Sequence, residues 1–254
     1  IPVSHVEAGL RSFDMNMPEE INRILTDRIS DLLFTPSPDA DENLLKEGIS
    51  AERIKLVGNI MIDSLLNHSE KSEKRNIHER FEIKRGEYAL VTMHRPSNVD
   101  DEGVLTEIIG ALDVISENIS IIFPAHPRTT KMISEFGLEN RINHNPNFVM
   151  KEPLGYLDFV ALMKHAKVVI TDSGGLQEET TALGIPCITI RENTERPITV
   201  EQGTNTIVGN SKEKIIKEWK NILKTGGKKG RIPKMWDGKT AQRTADEIIE
   251  YLNI

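Results

Sequence analysis

Residues Val168-Val-Ile-Thr-Asp-Ser-Gly-Gly-Leu-Gln-Glu-Glu-Thr-Thr-Ala-Leu-Gly-Ile-Pro-Cys-Ile-Thr-Ile-Arg-Glu-Asn-Thr-Glu-Arg-Pro197 decide the fold. Val168 to Ile170 is an apolar β-branched run, the pattern of a parallel strand buried on both faces. Asp172-Ser173-Gly174-Gly175 follows it, and a helical pattern runs on from Leu176 to Leu183. Small residues at a strand-to-helix turn let a ligand approach the backbone. The N–H groups and positive dipole end of the new helix favour an anion such as phosphate. Glu178 and Glu179 sit in the first turns, where a carboxylate can accept hydroxyl protons from a ribose. Gly184-Ile185-Pro186 stops the helix, Pro186 to Ile190 returns as a strand, and Thr194-Glu195-Arg196-Pro197 places a guanidinium at its mouth. The layout is that of a nucleotide site on an α/β domain. A Gly-Gly turn that serves only packing has the same local pattern, so this motif alone leaves both uses open.

Outward from that stretch the pattern repeats. Strands are expected at Tyr88–Met93, Ser120–Pro124, Phe148–Met150, Lys167–Thr171, Pro186–Ile190 and Asn205–Val208. Helical patterns separate them, at about 101–117, 129–136, 156–165, 174–183, 197–201 and 212–223. This predicts a doubly wound domain over 88–235, with ligands binding beyond the carboxyl ends of the strands. Residues 239–252 form a last amphipathic helix with Ala241, Ala245, Ile248, Ile249 and Leu252 along one side. Before residue 68, strands around Val3–Val6, Leu32–Thr35 and Ile54–Val57 alternate with helices at 18–30, 38–47 and 59–66, again a parallel βα layout. Three strands make a thin sheet with an apolar edge to cover. The expectation is a first domain present only in part over 1–67, its N-terminal portion lying outside the chain. Charge-rich residues 68–87 read as a linker containing a short helix.

Composition bounds the function. The 254 residues suffice for one large or two modest domains. A net charge of −7 argues against non-specific binding to nucleic acid or anionic membranes. No apolar run approaches the ~20 residues of a membrane span, and no secretory signal pattern is present. The single cysteine, Cys187, fits a reducing cytoplasm, as a buried inert thiol or as a nucleophile.

Polar residues cluster where strands should end. His94-Arg95 follows Ala89–Met93, and His126-Pro127-Arg128 follows Ile121–Ala125. Each histidine alone could be a hydrogen bonder held by its loop. Together, beside the Ser173–Gly175 turn, they make a cationic rim suited to a diphosphate. In the first region Val3, His5 and Glu7 share a strand face, Gly9 allows a tight turn, and Arg11 follows. Pro18-Glu19-Glu20 opens a helix; its acids either complement the helix dipole or serve acid/base chemistry at a sugar carbon.

Six motifs in order carry a resemblance across essentially the whole chain: His5-Val-Glu-Ala-Gly-Leu-Arg11, Pro18-Glu-Glu-Ile-Asn-Arg23, Val57-Gly-Asn-Ile-Met-Ile-Asp63, His94-Arg95, Thr171-Asp-Ser-Gly-Gly-Leu-Gln-Glu-Glu179 and Thr194-Glu-Arg-Pro197. The chain resembles the non-hydrolysing UDP-N-acetylglucosamine 2-epimerases. The resemblance implies two Rossmann-like α/β domains in the GT-B arrangement, the N-terminal one incomplete here. Residues 236–254 would pack back towards the first domain. It implies a reversible exchange of UDP-N-acetylglucosamine and UDP-N-acetylmannosamine, without added cofactor or metal, in a cytoplasmic homodimer supplying surface-polysaccharide precursors.

By the same resemblance, Glu7 and Glu19 are acid/base carboxylates, and His94 assists departure of UDP. Arg95, Phe159, Ser173, Gly174, Gly175, Glu179 and Arg196 would bind the nucleotide-sugar. Phe159 would line the uridine pocket and Glu179 would hold the ribose. His126 would lie near a regulatory UDP-sugar site. Pro96-Ser97-Asn98 departs from the family's usual acidic residue after the His-Arg pair, and Leu154 from a polar residue near the uracil. The sugar C2 proton is not acidic, so the reaction implied is loss of UDP to 2-acetamidoglucal and re-addition with a proton on the other face. Donors preorganised on the leaving diphosphate and carboxylates at C2 match that demand. A hydrolysing epimerase, a GT-B glycosyltransferase and a UDP-binding module without catalysis remain alternatives.

Overall fold

The computed structural model describes residues 1–253. Among the described residues nine strands lie in two parallel sheets. The first sheet holds β1 (Ser4–Val6), β2 (Leu32–Thr35) and β3 (Ile54–Leu56) in that order. The second holds β4 (Tyr88–Thr92), β5 (Ser120–Pro124), β6 (Phe148–Lys151), β7 (Val168–Thr171), β8 (Cys187–Thr189) and β9 (Asn205–Ile207). Its order is β6-β5-β4-β7-β8-β9. The chain therefore moves outward from β4 in one direction, then returns beside β4 and moves outward in the other. That reversal, between β4 and β7, is where a Rossmann-like sheet opens a crevice for its ligand.

The second sheet is buried on both faces, as its near-continuous apolar strands require. One face packs under the helices Glu102–Ser116 and Lys212–Thr225, with Leu105, Ile108, Leu112, Ile215 and Trp219 in its core. The other packs under Ile60–Glu73 and Tyr156–Lys164, through Ile62, Leu65, Val160 and Leu162. The helix that leaves the first sheet thus supplies core to the second. It also extends beyond the 59–66 pattern. Residues 68–87, read from composition as a linker, are in large part helix, at 60–73 and Ile77–Arg80. The short helix expected there is Ile77–Arg80, and the charges of this segment meet a neighbouring helix: Glu73 pairs with Lys164, and Arg75 and Arg80 both pair with Asp158.

The first sheet is sparser. β1 is its edge, and Val3 and Val6 are exposed there, as are Ile21, Leu25 and Ile29 along one stripe of the helix Pro18–Ile29. The last helix, Thr240–Leu252, reaches back to this region by polar contacts. Asp63 accepts the amides of Thr240 and Ala241 at its N-terminus, Arg243 donates to the Val57 carbonyl, and Lys55 pairs with Glu247. Of the expected apolar side, Ile248 docks, packing near Leu32 and Phe34 of β2, while Ala241, Ala245, Ile249 and Leu252 are exposed. Trp236 anchors the crossing, its indole N–H donating to the Pro36 carbonyl at 2.9 Å.

Among the described residues no helix is long and apolar enough to cross a membrane. Cys187 is buried in β8, and burial pushes its thiol up to about 11, which leaves it protonated and inert at neutral pH.

Candidate active site

The crevice is organised by Asp172, at the carboxyl end of β7. It has no exposed surface. One oxygen accepts the backbone amides of His94 (2.9 Å) and Arg95 (2.8 Å) and the side-chain amide of Asn98 (3.2 Å). The other lies 3.3 Å from His94 Nδ1. Burial alone would raise this carboxyl, but the His94 ring and these donors hold it below the ordinary carboxylate range. Arg95 returns the contact through Nε to the Asp172 carbonyl at 3.0 Å. One buried carboxylate therefore fixes the loop after β4 to the turn after β7. With Nδ1 against Asp172, the half-exposed His94 ring has Nε2 free for a ligand.

Pro96-Ser97-Asn98, the departure noted in the sequence, builds a helical turn, Pro96–Val99. Asn98 Nδ2 there also reaches the Ile190 carbonyl at 2.9 Å and so ties in the end of β8. Sequence reading gave Asp172 and Asn98 no role. The available signal was an acid placed directly after four buried strand positions, three of them apolar, which needs several donors at once. His126 caps the helix Pro127–Glu135, and its ring centroid is 5.6 Å from that of His94, so the two histidines share one rim. Arg128 turns away and pairs with Asp100.

The Ser173–Gly175 turn is asymmetric. Ser173 has extended backbone, its amide is already given to Thr171 Oγ1 at 2.9 Å, and the helix Gly174–Leu183 begins directly after it. A Cβ on Gly174 would meet Glu195 Oε1 at 2.4 Å and Arg196 Nη1 at 2.5 Å, whereas one on Gly175 would meet nothing within 4 Å. Gly174 is thus small because an ion pair lies against its α-carbon. Gly175 faces the open crevice and is the side from which an anion can approach the helix N-terminus.

That ion pair belongs to a buried set. Arg196 Nη1 donates to Glu195 Oε1 at 2.5 Å, and Arg191 reaches Glu195 Oε2 at 2.8 Å. Arg196 Nε lies 2.8 Å from Glu178 Oε2, an ion pair whose N–H points off the line to the oxygen. Burial would raise Glu195, yet Arg196 and Arg191 hold it at about 2. Glu178 fares otherwise: burial pushes it up to about 7, Arg196 pulls against this, and Glu7 and Glu195 add repulsion. Burial works against the charge on Arg196, but Glu178 and Glu195 hold it above the ordinary arginine range. At the next position of the helix, Glu179 accepts a hydrogen bond from Tyr156 at 3.1 Å, and burial raises it to about 7 as well. Phe159, one turn after Tyr156, is half-buried at the edge of the same core as Leu154.

The first region brings two carboxylates to the opposite wall. β1 ends at Val6, and Glu7 has φ +67°, so it does not continue the strand face of His5 as the alternation predicts. The left-handed turn sends its side chain to within electrostatic reach of Glu178 and Arg196, with Oε1 enclosed and without a hydrogen-bond partner. Asp27 holds this turn, accepting His5 Nδ1 (2.6 Å), Arg11 Nη2 (2.7 Å) and the Gly9 amide (3.2 Å). Gly9 has φ +78° and lies against the Ala40 carbonyl, so no other residue fits there. Arg11 is buried between Asp27 and Glu47 and is spent on structure.

Glu19 and Glu20 separate cleanly. Glu20 is buried, accepting the amides of Ser12 and Phe13 and a 2.7 Å bond from Arg23. Glu19 is exposed and faces a cleft of about 520 Å³, with Asn16 and Glu19 on one wall and Arg95, Asn98, Arg191 and Asn193 on the other. Its charge reaches Arg95. Glu19 and Arg95 thus line one cleft between the sheets, and Glu7 lies within electrostatic reach of the Glu178–Arg196 pair beside Gly174; Arg95, 4.0 Å from Glu195, stands between the two groups.

A parallel sheet in Rossmann order, with a glycine turn at its reversal point and carboxylates opposite, defines an α/β protein of the Rossmann-like class. The family model described as UDP-N-acetylglucosamine 2-epimerase matches residues 1–249, and the chain belongs to that family. A UDP-N-acetylglucosamine 2-epimerase of Methanococcus maripaludis is 46% identical over 230 residues, covering 89% of this chain and 63% of that protein. The chain therefore spans somewhat less than two thirds of that relative. A solved structure of the Methanocaldococcus jannaschii UDP-GlcNAc 2-epimerase, in complex with UDP-GlcNAc and UDP, superposes with a TM-score of 0.89 at 45% identity, covering 99% of this chain and 69% of that one. A UDP-2,3-diacetamido-2,3-dideoxy-D-glucuronate 2-epimerase of Pseudomonas aeruginosa is 38% identical over 88% of this chain and 61% of its own length.

Proposed function

We propose that the protein to which this chain belongs interconverts UDP-N-acetylglucosamine and UDP-N-acetylmannosamine, with residues 88–235 holding UDP and residues 1–67 presenting carboxylates to the sugar. The observation that carries this is the meeting of Glu7, from the turn after β1, with Arg196 and Glu178 at the phosphate turn of the other sheet. That juxtaposition supports an acid/base group beside the diphosphate end of a nucleotide-sugar.

The chemistry follows from the residue types. The C1–O bond to UDP breaks as the C2 proton leaves to a carboxylate, giving 2-acetamidoglucal and UDP. The open side of Gly175, His94 Nε2, Arg95 and Arg196 would receive the charge that develops on the diphosphate. Glu7 and Glu19 would take the proton from C2 and return it on the opposite face as UDP adds back to C1. Glu179, held by Tyr156, would accept a ribose hydroxyl, and Phe159 would lie along the uracil. His126, sharing the rim with His94, would carry a second UDP-sugar contact. The product would serve surface-polysaccharide synthesis, and the working unit would be a homodimer.

A second reading concerns the sugar. The relationship to the Pseudomonas aeruginosa enzyme supports a 2-epimerase acting on a related UDP-diacetamido sugar, because nothing in the phosphate turn distinguishes the two. Product analysis by NMR tests both. UDP-N-acetylmannosamine formed from UDP-N-acetylglucosamine is the expected result. Free N-acetylmannosamine as the main product would overturn the reversible reaction in favour of hydrolysis.

A further inference from the structure

The buried Glu178–Arg196 pair has a property that UDP binding alone does not require. Glu178 is 1% exposed and lies inside the helix that begins the phosphate turn. Its charged neighbours are Arg196, from the loop after β8, Glu195 from the same loop, and Glu7 from the turn after β1. Only one of these is a cation. That cation is shared, since Arg196 also serves Glu195, which has Arg191 as a second partner and so is secured independently. Glu178 has no second partner; its Oε2 is enclosed and accepts no aligned hydrogen bond.

A diphosphate arriving at the Gly175 side of this turn draws on the same guanidinium. Arginine binds phosphate oxygens through the same N–H fork it now offers to carboxylates. Glu178 then faces Glu7, Glu195 and the added phosphate charge with a diminished share of its only cation. A buried carboxylate in that position does not stay ionised, because solvation is absent and every other neighbour is an acid.

We infer that Glu178 takes up a proton from solvent when a diphosphate binds beside Arg196, and so acts as a positioning residue that lets one arginine change partners. The proton adds to a Glu178 carboxylate oxygen. Arg196 keeps its charge and is freed to turn its N–H groups to the phosphate. Glu178 already stands near neutrality before the ligand arrives, at about 7, so little is needed to complete the change. The inference rests on the proposed UDP site and adds to it a direction of proton flow.

The test is isothermal calorimetry of UDP binding to the full chain, across pH 6 to 9 and in buffers of different ionisation enthalpy. Wild-type protein should take up protons above neutrality, with affinity falling by up to about tenfold per pH unit there. Glu178→Gln mimics the protonated state without changing the side-chain shape. It should bind UDP at pH 8.5 at least as tightly as wild type, with the pH slope nearly abolished. A purely structural role predicts the opposite, a uniform loss of affinity at every pH. If Glu178→Gln fails to fold, the wild-type measurement still decides: UDP binding without proton uptake overturns the inference. A wild-type chain that does not bind UDP would remove the proposed UDP site and this inference with it. UDP binding with the same proton uptake in Glu178→Gln would remove this inference alone.

Discussion

The two sheets meet at one crevice but hold their functional residues by different means. On the six-stranded side, the loops after β4, β7 and β8 are locked together through Asp172, Asn98 and the Arg191–Glu195–Arg196 set, all buried. On the three-stranded side, Glu7 depends on a left-handed turn braced by Asp27, and Glu19 stands on an exposed helix end. The difference teaches that the side proposed to hold the nucleotide is cross-linked by buried contacts independent of any ligand. The carboxylates opposite are placed by one turn and one helix. Rigid donors suit charge that appears on a leaving diphosphate, since they need no reorganisation as it develops. Carboxylates that exchange protons with a sugar carbon need less enclosure.

Four comparisons would break or sharpen this division. The largest effect should come from Glu7→Gln, which removes a proton acceptor while leaving the nucleotide side intact. Turnover should fall by about 10³-fold or more with UDP affinity within a few-fold, as measured by coupled assay and calorimetry. Equal losses in both would mean that Glu7 serves the nucleotide side. Next is Asp172→Asn, which leaves three amide-type donors without a carboxylate. Denaturation should show a loss of about 3 kcal/mol, along with weaker UDP binding.

Smaller, and diagnostic of the asymmetric turn, is the pair Gly174→Ala and Gly175→Ala. The first forces a methyl into Arg196 and Glu195 and should cost about 2 kcal/mol of stability. The second enters open space, where alanine in a helix should be neutral or stabilising by up to about 1 kcal/mol, while UDP affinity falls. The mildest is a local pH effect on the three-stranded side. Glu20 is held below its ordinary value of 4.5 despite its burial, by the Ser12 amide, Arg23 and the Phe13 amide. Its contribution is therefore present above that pH and is lost as pH falls through the lowered value. Hydrogen exchange at Ser12 and Phe13 should accelerate below about pH 4, and Glu20→Gln should show the faster rate already at pH 6, while Glu19→Gln should not.

Much of this was legible in the sequence because it depends on period and adjacency. The β-branched run Val168–Ile170 followed by Asp172-Ser-Gly-Gly placed both a buried strand and the turn into its helix, and the alternation from Tyr88 to Ile207 placed the parallel sheet. The rest depends on contacts between distant segments. Asp172 and Asn98 are 74 residues apart, and neither flanks its partner in sequence. The opposite fates of Glu19 and Glu20 turn on the helix rotation by which one faces the cleft and the other the Ser12–Phe13 turn. The left-handed backbone at Glu7 breaks the strand alternation that local pattern predicts. The charges of residues 68–87 find their partners on a helix some 80 residues further on, which local pattern does not show.

The central claim is that the crevice joins a diphosphate site on one sheet to proton-transfer carboxylates on the other. It is tested most directly by incubating the protein with UDP-N-acetylglucosamine in D₂O and following C2 of the sugar by NMR. The account predicts deuterium at C2 of UDP-N-acetylmannosamine as it forms, with the nucleotide-sugar pool conserved. Tight UDP binding with no deuterium at C2 and no second epimer would contradict it.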